Sequence, residues 1–298
     1  MIEGPTGARQ PAPMSSDLPA APAHTHCQNC GTELQGRFCH ACGQRDLEFH
    51  QSFHHLLHEG LETWLHIDRS IGRGCFDLLF RPGRMTREFN AGRRASHMPP
   101  FRFYLVISVL FFLIIGPLSI RLEQPQITIG DVVVAGDAAT QNAHAPAGTL
   151  SREIEERTIA SLRQPEQLEE RFVHRLPKAL ALCVPLFALL SRLLFWRGPW
   201  RYLEHLILAI HLHSFAFLWI IVATGYVRLV DLVWPTGASL LGWASFFYAA
   251  FYFFASLRYT LGAPRWTTLW KGAVLVASHC VVLVGAVAAT IVLSLLWA

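Results

Sequence analysis

Four cysteines fall within sixteen residues, as Cys27-Gln-Asn-Cys30-Gly31 and Cys39-His-Ala-Cys42-Gly43. Two thiolates three positions apart can grip one face of a tetrahedral ion. The Gly after each pair permits the tight turn that points backbone N–H groups at the sulfurs. Two such pairs complete a four-cysteine site, the usual closed form for structural zinc. A mini-domain of this kind depends on its metal for folding. Eight residues separate the pairs, room for a short hairpin, with Phe38 as its expected apolar anchor. Cys-x-x-Cys also serves redox chemistry, but the duplication with Gly after each pair favours metal. His26 and His40 could replace a ligand and read as solvated neighbours.

Histidines form the second set of chemistry-bearing residues. His50, His54, His55, His58 and His66 crowd one short stretch. His54 and His58 are four apart and share a helical face, so they could chelate. A histidine-rich polar face at a membrane surface accounts for them better. Further on, Glu204 and His205 open an apolar stretch, and His211 and His213 follow inside it. On a helix Glu204 and His211 share a face, whereas His211 and His213 point to nearly opposite sides. His211 lies roughly 9 Å beyond His205 along the axis. His279 falls at a similar depth in the last apolar stretch. Ionisable groups at such depth are costly and usually face a bundle interior or a water-filled cavity. Glu204, His205, His211, His213 and His279 are therefore the candidates for a second metal or haem site, or a proton relay. The alternative, neutral histidines hydrogen-bonded inside the bundle, carries more weight.

Arginine supplies the third set. Residues 69–102 hold eight Arg against Asp77 and Glu88. Arg84, Arg87, Arg93 and Arg94 are expected to contact anionic lipid, at about 1 kcal/mol per basic residue near the surface. Nucleic acid is the poorer reading, because the stretch abuts an apolar run and contains apolar helix faces. Arginine outnumbers lysine 23 to 2, a bias to which no function is attached.

The elements that must position these groups follow from composition. The chain has 298 residues, of which 52% are hydrophobic and 15% charged, against about 25% charged in soluble domains. Residues 179–298 hold only nine of the 46 Asp, Glu, Lys and Arg. This excludes a wholly soluble enzyme and a disordered or fibrous chain. Five runs approach the roughly 20 residues needed to cross a bilayer: 101–120, 178–196, 205–227, 238–257 and 273–297. Pro185 is expected to kink the second. The expected fold is an all-α integral membrane bundle of about five spans with a small N-terminal four-cysteine zinc ribbon.

The expected organisation is a disordered tail over 1–25, the ribbon over 26–44, and cytosolic or interfacial amphipathic helices over 45–100. Span one follows at 101–120, an extracytoplasmic loop at 121–177, and spans two to five at 178–298. Within 45–100, apolar spacing predicts a helix over 49–67 and a short one around Ile71 to Phe80, ended by Arg81-Pro82-Gly83. Another runs from Met85 to Phe89. The loop carries a strand-like patch from Ile127 to Val134 and an amphipathic helix over 151–175. Residues 121–175 hold six Arg against nine acids. The positive-inside rule then places the N-terminus in the cytoplasm and the C-terminus outside the cytoplasmic membrane. Residues 1–25 lack the basic start and apolar core of a secretory signal. The other three cysteines, Cys75, Cys183 and Cys280, stand alone, against a disulfide framework.

A specific resemblance joins these pieces. Its order is Cys42-Gly43-Gln44, Trp64-Leu-His-Ile-Asp68, Leu78-Leu-Phe-Arg-Pro-Gly83, Gly92-Arg-Arg94 and Pro99-Pro-Phe-Arg-Phe-Tyr104. It continues through Leu176-Pro177-Lys178, Pro185-Leu-Phe-Ala-Leu189, Tyr202-Leu-Glu-His205 and His211-x-His213-Ser-Phe215. The chain resembles the bacterial membrane-protein family catalogued as domain of unknown function 3667, over most of residues 27–220. Asn90 stands where a larger apolar residue is the family's habit, and His279 lies outside the motif. The resemblance implies an integral membrane protein with a cytosolic zinc ribbon and implies no reaction.

Three function classes follow. The leading one is a structural or adaptor protein, whose ribbon and amphipathic helices engage a cytosolic protein partner or membrane lipids. The alternative is a metal- or haem-binding redox protein using the membrane histidines. A small transporter subunit, pore-forming as a homo-oligomer, comes third. No catalytic residue is assigned. The Walker, dinucleotide and nucleophile-elbow glycine motifs are all missing from the sequence, so the chain leans away from an enzyme.

Overall fold

Proline and glycine punctuate this chain, and its helices begin and end at them. The architecture was analysed in a computed structural model that describes residues 24–46, 70–95, 97–120, 158 and 165–296. Seven helices run in order among these residues. They are α1 (Ser70–Phe80), α2 (Arg84–Asn90), α3 (Pro100–Ile120), α4 (Pro165–Leu194), α5 (Tyr202–Asp231), α6 (Pro235–Leu261) and α7 (Arg265–Leu296). No strand occurs among the described residues, only two isolated bridges in the cysteine region. Arg81-Pro82-Gly83 separates α1 from α2, as its residue types predict. Gly83 takes φ 73°, a conformation that L side chains adopt only under strain. A Cβ there would also lie 2.9 Å from the Ser256 carbonyl and the Thr260 hydroxyl of α6. Pro100 and Pro235 stand at helix starts, where their missing N–H costs nothing.

Four helices are long and apolar enough to cross a membrane: Glu170–Leu194 within α4, then α5, α6 and α7. The first expected span is a helix from Pro100 to Ile120, with Pro100–Ile115 as its shorter apolar part. Two boundaries differ from expectation. The described part of the loop's amphipathic helix, from Pro165, and the second span are one continuous helix, α4, running through Pro177 and Pro185. Inside a membrane bundle, neighbouring helices can re-satisfy the carbonyl that each proline leaves open. The last helix starts at Arg265, earlier than 273, because Trp266, Trp270 and Lys271 form an interfacial first turn or two. The expected helix over 49–67, its histidines, the 127–134 patch and residues 151–157 lie outside the described residues.

Helix α5 is the hub. It packs against α1, α2, α3, α4 and α6. Of its most apolar stretch, 56% is buried, against 11% for α7. The core gathers Leu78 of α1, Phe103 and Ile107 of α3, Leu208 and Ile210 of α5, Leu257 of α6 and Leu275 of α7. Phe215 stacks on Tyr252 with ring planes 4° apart, which ties α5 to α6. Leu78 of α1 and Met85 of α2 share this core, which holds the two short helices against the bundle. Tyr248 of α6 donates its hydroxyl to the Leu79 carbonyl at 2.6 Å.

Antiparallel α4 and α7 cap each other. Helix ends leave four carbonyls without partners, and a cation there also opposes the helix dipole. Lys271 of α7 donates to the Leu194 carbonyl at 2.6 Å, at the end of α4. Arg171 of α4 donates to the Ser294 carbonyl at 3.2 Å, and Arg175 donates to that of Leu293, both at the end of α7.

Candidate metal centre

Residues 24–46 fold as one unit repeated at an interval of twelve. In the first copy the Cys27 N–H donates to the Thr32 carbonyl and the Gly31 N–H to the Cys27 carbonyl, each at 2.8 Å. In the second the Cys39 N–H donates to the Gln44 carbonyl and the Gly43 N–H to the Cys39 carbonyl, again at 2.8 Å. Gly31 and Gly43 take φ 78° and 73°. Both turns need glycine for this reason. Bridges His26–Glu33 and Phe38–Arg45 close the two loops.

The duplicated turns place the sulfurs face to face. Cys27 Sγ lies 3.6 Å from Cys42 Sγ, and Cys30 Sγ lies 3.5 Å from Cys39 Sγ. All four lie within 4.8 Å of one another, and they could hold a metal ion. They are the one group of three or more ligand side chains so placed among the described residues. The donor set is four soft sulfurs, the number that fills the tetrahedral shell of a structural ion. Hydrogen bonds from the Thr32 hydroxyl and backbone draw the Cys30 thiol down to about 6, so it is a thiolate at neutral pH and ready to ligate. The Gln44 amide pulls Cys42 down, but desolvation and the sulfurs of Cys27 and Cys30 outweigh it. That thiol is pushed up to about 11.

The apolar anchor is Leu34, not Phe38. Leu34 packs with buried Cys27 and Cys39, whereas Phe38 is 62% exposed. Phe38 lies in one of the two bridges and outside that cluster. Leu34 matches Asp46 in the twelve-residue repeat. Asp46 instead closes the chain ends by accepting from the His24 N–H at 3.0 Å and facing His24 Nδ1 at 2.7 Å.

Sequence reasoning missed the joint between this unit and the helices. Gln44 donates to the Gly92 carbonyl at 2.8 Å. Its side-chain oxygen accepts from the N–H groups of Arg94 and Ala95 at 2.9 and 3.0 Å. Gln28 occupies the space that a Cβ on Gly92 would need, and Gly92 has φ 81°. One glutamine thus satisfies three backbone groups of the turn after α2. The two motifs, Cys-Gly-Gln and Gly-Arg-Arg, were visible in the sequence. That they are the halves of one contact was not.

The four arginines of the expected lipid face have protein partners as well. Arg84 pairs with Glu88 at 2.8 Å, Arg87 lies over the Tyr259 ring at 4.7 Å, and Arg94 lies over Phe89 at 5.0 Å. Arg93 is exposed and donates its backbone N–H to the Glu88 carbonyl. Glu88 also meets the buried His97 at 2.6 Å. Burial pulls the Glu88 carboxyl upward, but Arg84 and His97 outweigh it and hold it below the usual range. Arg84 is raised in turn, chiefly by its hydrogen bond to Glu88.

The membrane residues do not converge. Glu204 accepts from the Arg201 N–H at 2.9 Å and closes the start of α5. His205 Nδ1 meets Ser191 Oγ of α4 at 2.8 Å. His211 Nδ1 meets Thr86 Oγ1 of α2 at 2.9 Å. His211 also lines a cavity of about 10 Å³ with Tyr252 and Ser256, about one water-sized probe, and its Nε2 is buried with no partner among the described residues. Only His213 and His279 meet, with Nε2 atoms 3.3 Å apart. The Ala209 carbonyl, 2.8 Å from His213 Nδ1, requires a proton on that nitrogen. His213 Nε2 is then an acceptor, and His279 Nε2 donates to it. Phe187 packs edge-on against both rings.

Residues 68–112 match the family model described as Protein of unknown function (DUF3667). The match bears out the resemblance over α1, α2 and the start of α3, the part of the chain onto which Gln44 docks. No curated protein matches the chain, and no solved structure does.

Proposed function

We propose that this chain is a bacterial inner-membrane adaptor protein whose N-terminal unit is a zinc ribbon, held rigidly on the cytosolic face of a helical bundle. The observation that carries this reading is the four-sulfur cluster joined through Gln44 to the 92–95 turn. Thiolates about 2.3 Å from a tetrahedral zinc stand about 3.8 Å apart, close to the 3.5 and 3.6 Å between paired sulfurs. A ribbon on a loose tether would need no such joint. A ribbon that presents a surface in fixed relation to the membrane does. The arginine-rich segment 69–102 supports the cytosolic placement through the positive-inside rule. Arg84, Arg87, Arg93 and Arg94 then lie at the lipid headgroups. Phe38, exposed on the ribbon, is the apolar point at which a cytosolic protein partner docks.

A photo-crosslinking amino acid at position 38, in living cells, tests the adaptor role. One recurrent protein adduct that disappears in Cys39→Ser supports it. Adducts to lipid alone, or no adduct beside a folded ribbon, overturn it. A second reading, a membrane metal or haem site, draws on the His213–His279 pair. An absorbance band of haem or a second metal in the purified protein would establish it.

A further inference from the structure

The seam between α4 and α7 is closed at both ends by the reciprocal caps of Lys271 and of Arg171 with Arg175. Between them it opens into a groove of about 640 Å³, within the roughly 300–1,000 Å³ range of ligand pockets. Leu182 and Leu186 line one side, Ala286 and Ala289 the other. The alanines make the groove, because side chains of one carbon cannot fill the gap between the helices. Its two uncharged polar side chains are self-satisfied. The Cys183 thiol donates to the Ala179 carbonyl at 3.3 Å and the Thr290 hydroxyl to the Ala286 carbonyl at 2.7 Å. Below its mouth the wall therefore offers an occupant no free hydroxyl or thiol donor and is otherwise apolar.

Charge is confined to one mouth, where Arg175 and Lys178 stand. Arg171 and Arg175 neutralise the carbonyl end of α7, so its dipole does not repel an anion there. No acid lines the groove among the described residues, and Glu170 of α4 is exposed, 3.9 Å from His174. From Lys178 to Leu186 the groove runs about 12 Å along the helix. That is close to the depth of one hydrocarbon leaflet, about 15 Å. A cationic mouth, an apolar trough and the depth of one leaflet describe a single amphiphile with an anionic head.

We propose that this groove is a binding site for one lipid whose phosphate head is net anionic, with an acyl chain between Leu182 and Ala286 and the phosphate at Arg175 and Lys178. It is separate from the arginines before α3 and holds whether or not the ribbon carries zinc. The test is native mass spectrometry of the delipidated full chain, titrated with phosphatidylglycerol or phosphatidylcholine of identical chains. One phosphatidylglycerol per chain is expected, bound at least tenfold more tightly than phosphatidylcholine. Ala286→Trp should abolish it by filling the trough, and Ala289→Leu, a milder filling, should weaken it at least fivefold. Lys178→Gln should reduce the preference between the two lipids at least threefold. Equal affinity for both lipids, binding of many copies without saturation at one, or no loss in the filling variants overturns the proposal. So does a groove that takes no lipid because residues 121–164 occupy it.

Discussion

The ribbon and the membrane bundle were equally rich in candidate ligands, and they differ in what the fold does with them. In the ribbon, two identical turns bring four sulfurs within 4.8 Å. In the bundle, Glu204, His205 and His211 are each drawn to a different neighbour, and only His213 and His279 meet. The cause is local order. A Cys-x-x-Cys-Gly turn fixes both thiols through its own backbone, so the sequence spacing sets the geometry. A helix fixes only which face a residue takes, and the packing partners then decide what it touches. Buried polar groups favour a hydrogen-bond partner, and a neighbouring hydroxyl takes one ring nitrogen of His205 and of His211, while the Nε2 of each is buried with no partner among the described residues.

The largest break in this comparison is Cys39→Ser. Cys39 is buried, and structural zinc supplies the folding energy of such units. Residues 24–46 should lose their metal and their protection from hydrogen exchange, while α4 to α7 keep theirs. Loss of protection throughout the bundle would mean the two regions are not independent.

Next comes the membrane side. Thr86→Val leaves His211 Nδ1 buried without a partner, which costs about 1–3 kcal/mol. Thermal unfolding in detergent should show it. His211→Ala should destabilise more than His279→Ala, because His211 joins α2 to α5 whereas His279 is only half-buried. Equal midpoints for the two variants would put the histidines on the same footing after all.

Gln44→Ala should have a smaller effect. Each of its three hydrogen bonds contributes about 1 kcal/mol. Metal content should stay at the wild-type level while the amides of Arg94 and Ala95 exchange faster. Zinc loss in this variant would show that the joint, not the turns, builds the site.

The smallest effect is acidic. Glu88 has its carboxyl held below its ordinary value of 4.5. Its contribution is therefore full above 4.5 and lost as pH falls through the lower folded value. Unfolding midpoints should fall below pH 4.5 in the wild type, and Glu88→Gln should remove part of that slope.

Much of the helical order was legible because the signals are local. Arg81-Pro82-Gly83 and Pro99-Pro100 mark boundaries by their own backbone limits, and long apolar runs leave no other fold. Phe38 was misread because hydrophobicity alone suggested an anchor. The repeat instead buries Leu34 and turns Phe38 outward. The fusion of the loop helix with span two was hidden by Pro177 at their junction, a residue that breaks helices in water and is tolerated among membrane helices. The Gln44 joint and the α4–α7 groove depend on residues 48 and more than 100 positions apart, and no spacing rule reaches that far.

The central claim is that one region gathers its ligands and the other does not. Metal content per chain, on detergent-purified protein prepared without a metal-affinity tag, tests it most directly. We expect one zinc and no iron, falling to none in Cys39→Ser and unchanged in His213→Ala. A chain without zinc, or a second metal that disappears in His213→Ala, would contradict it.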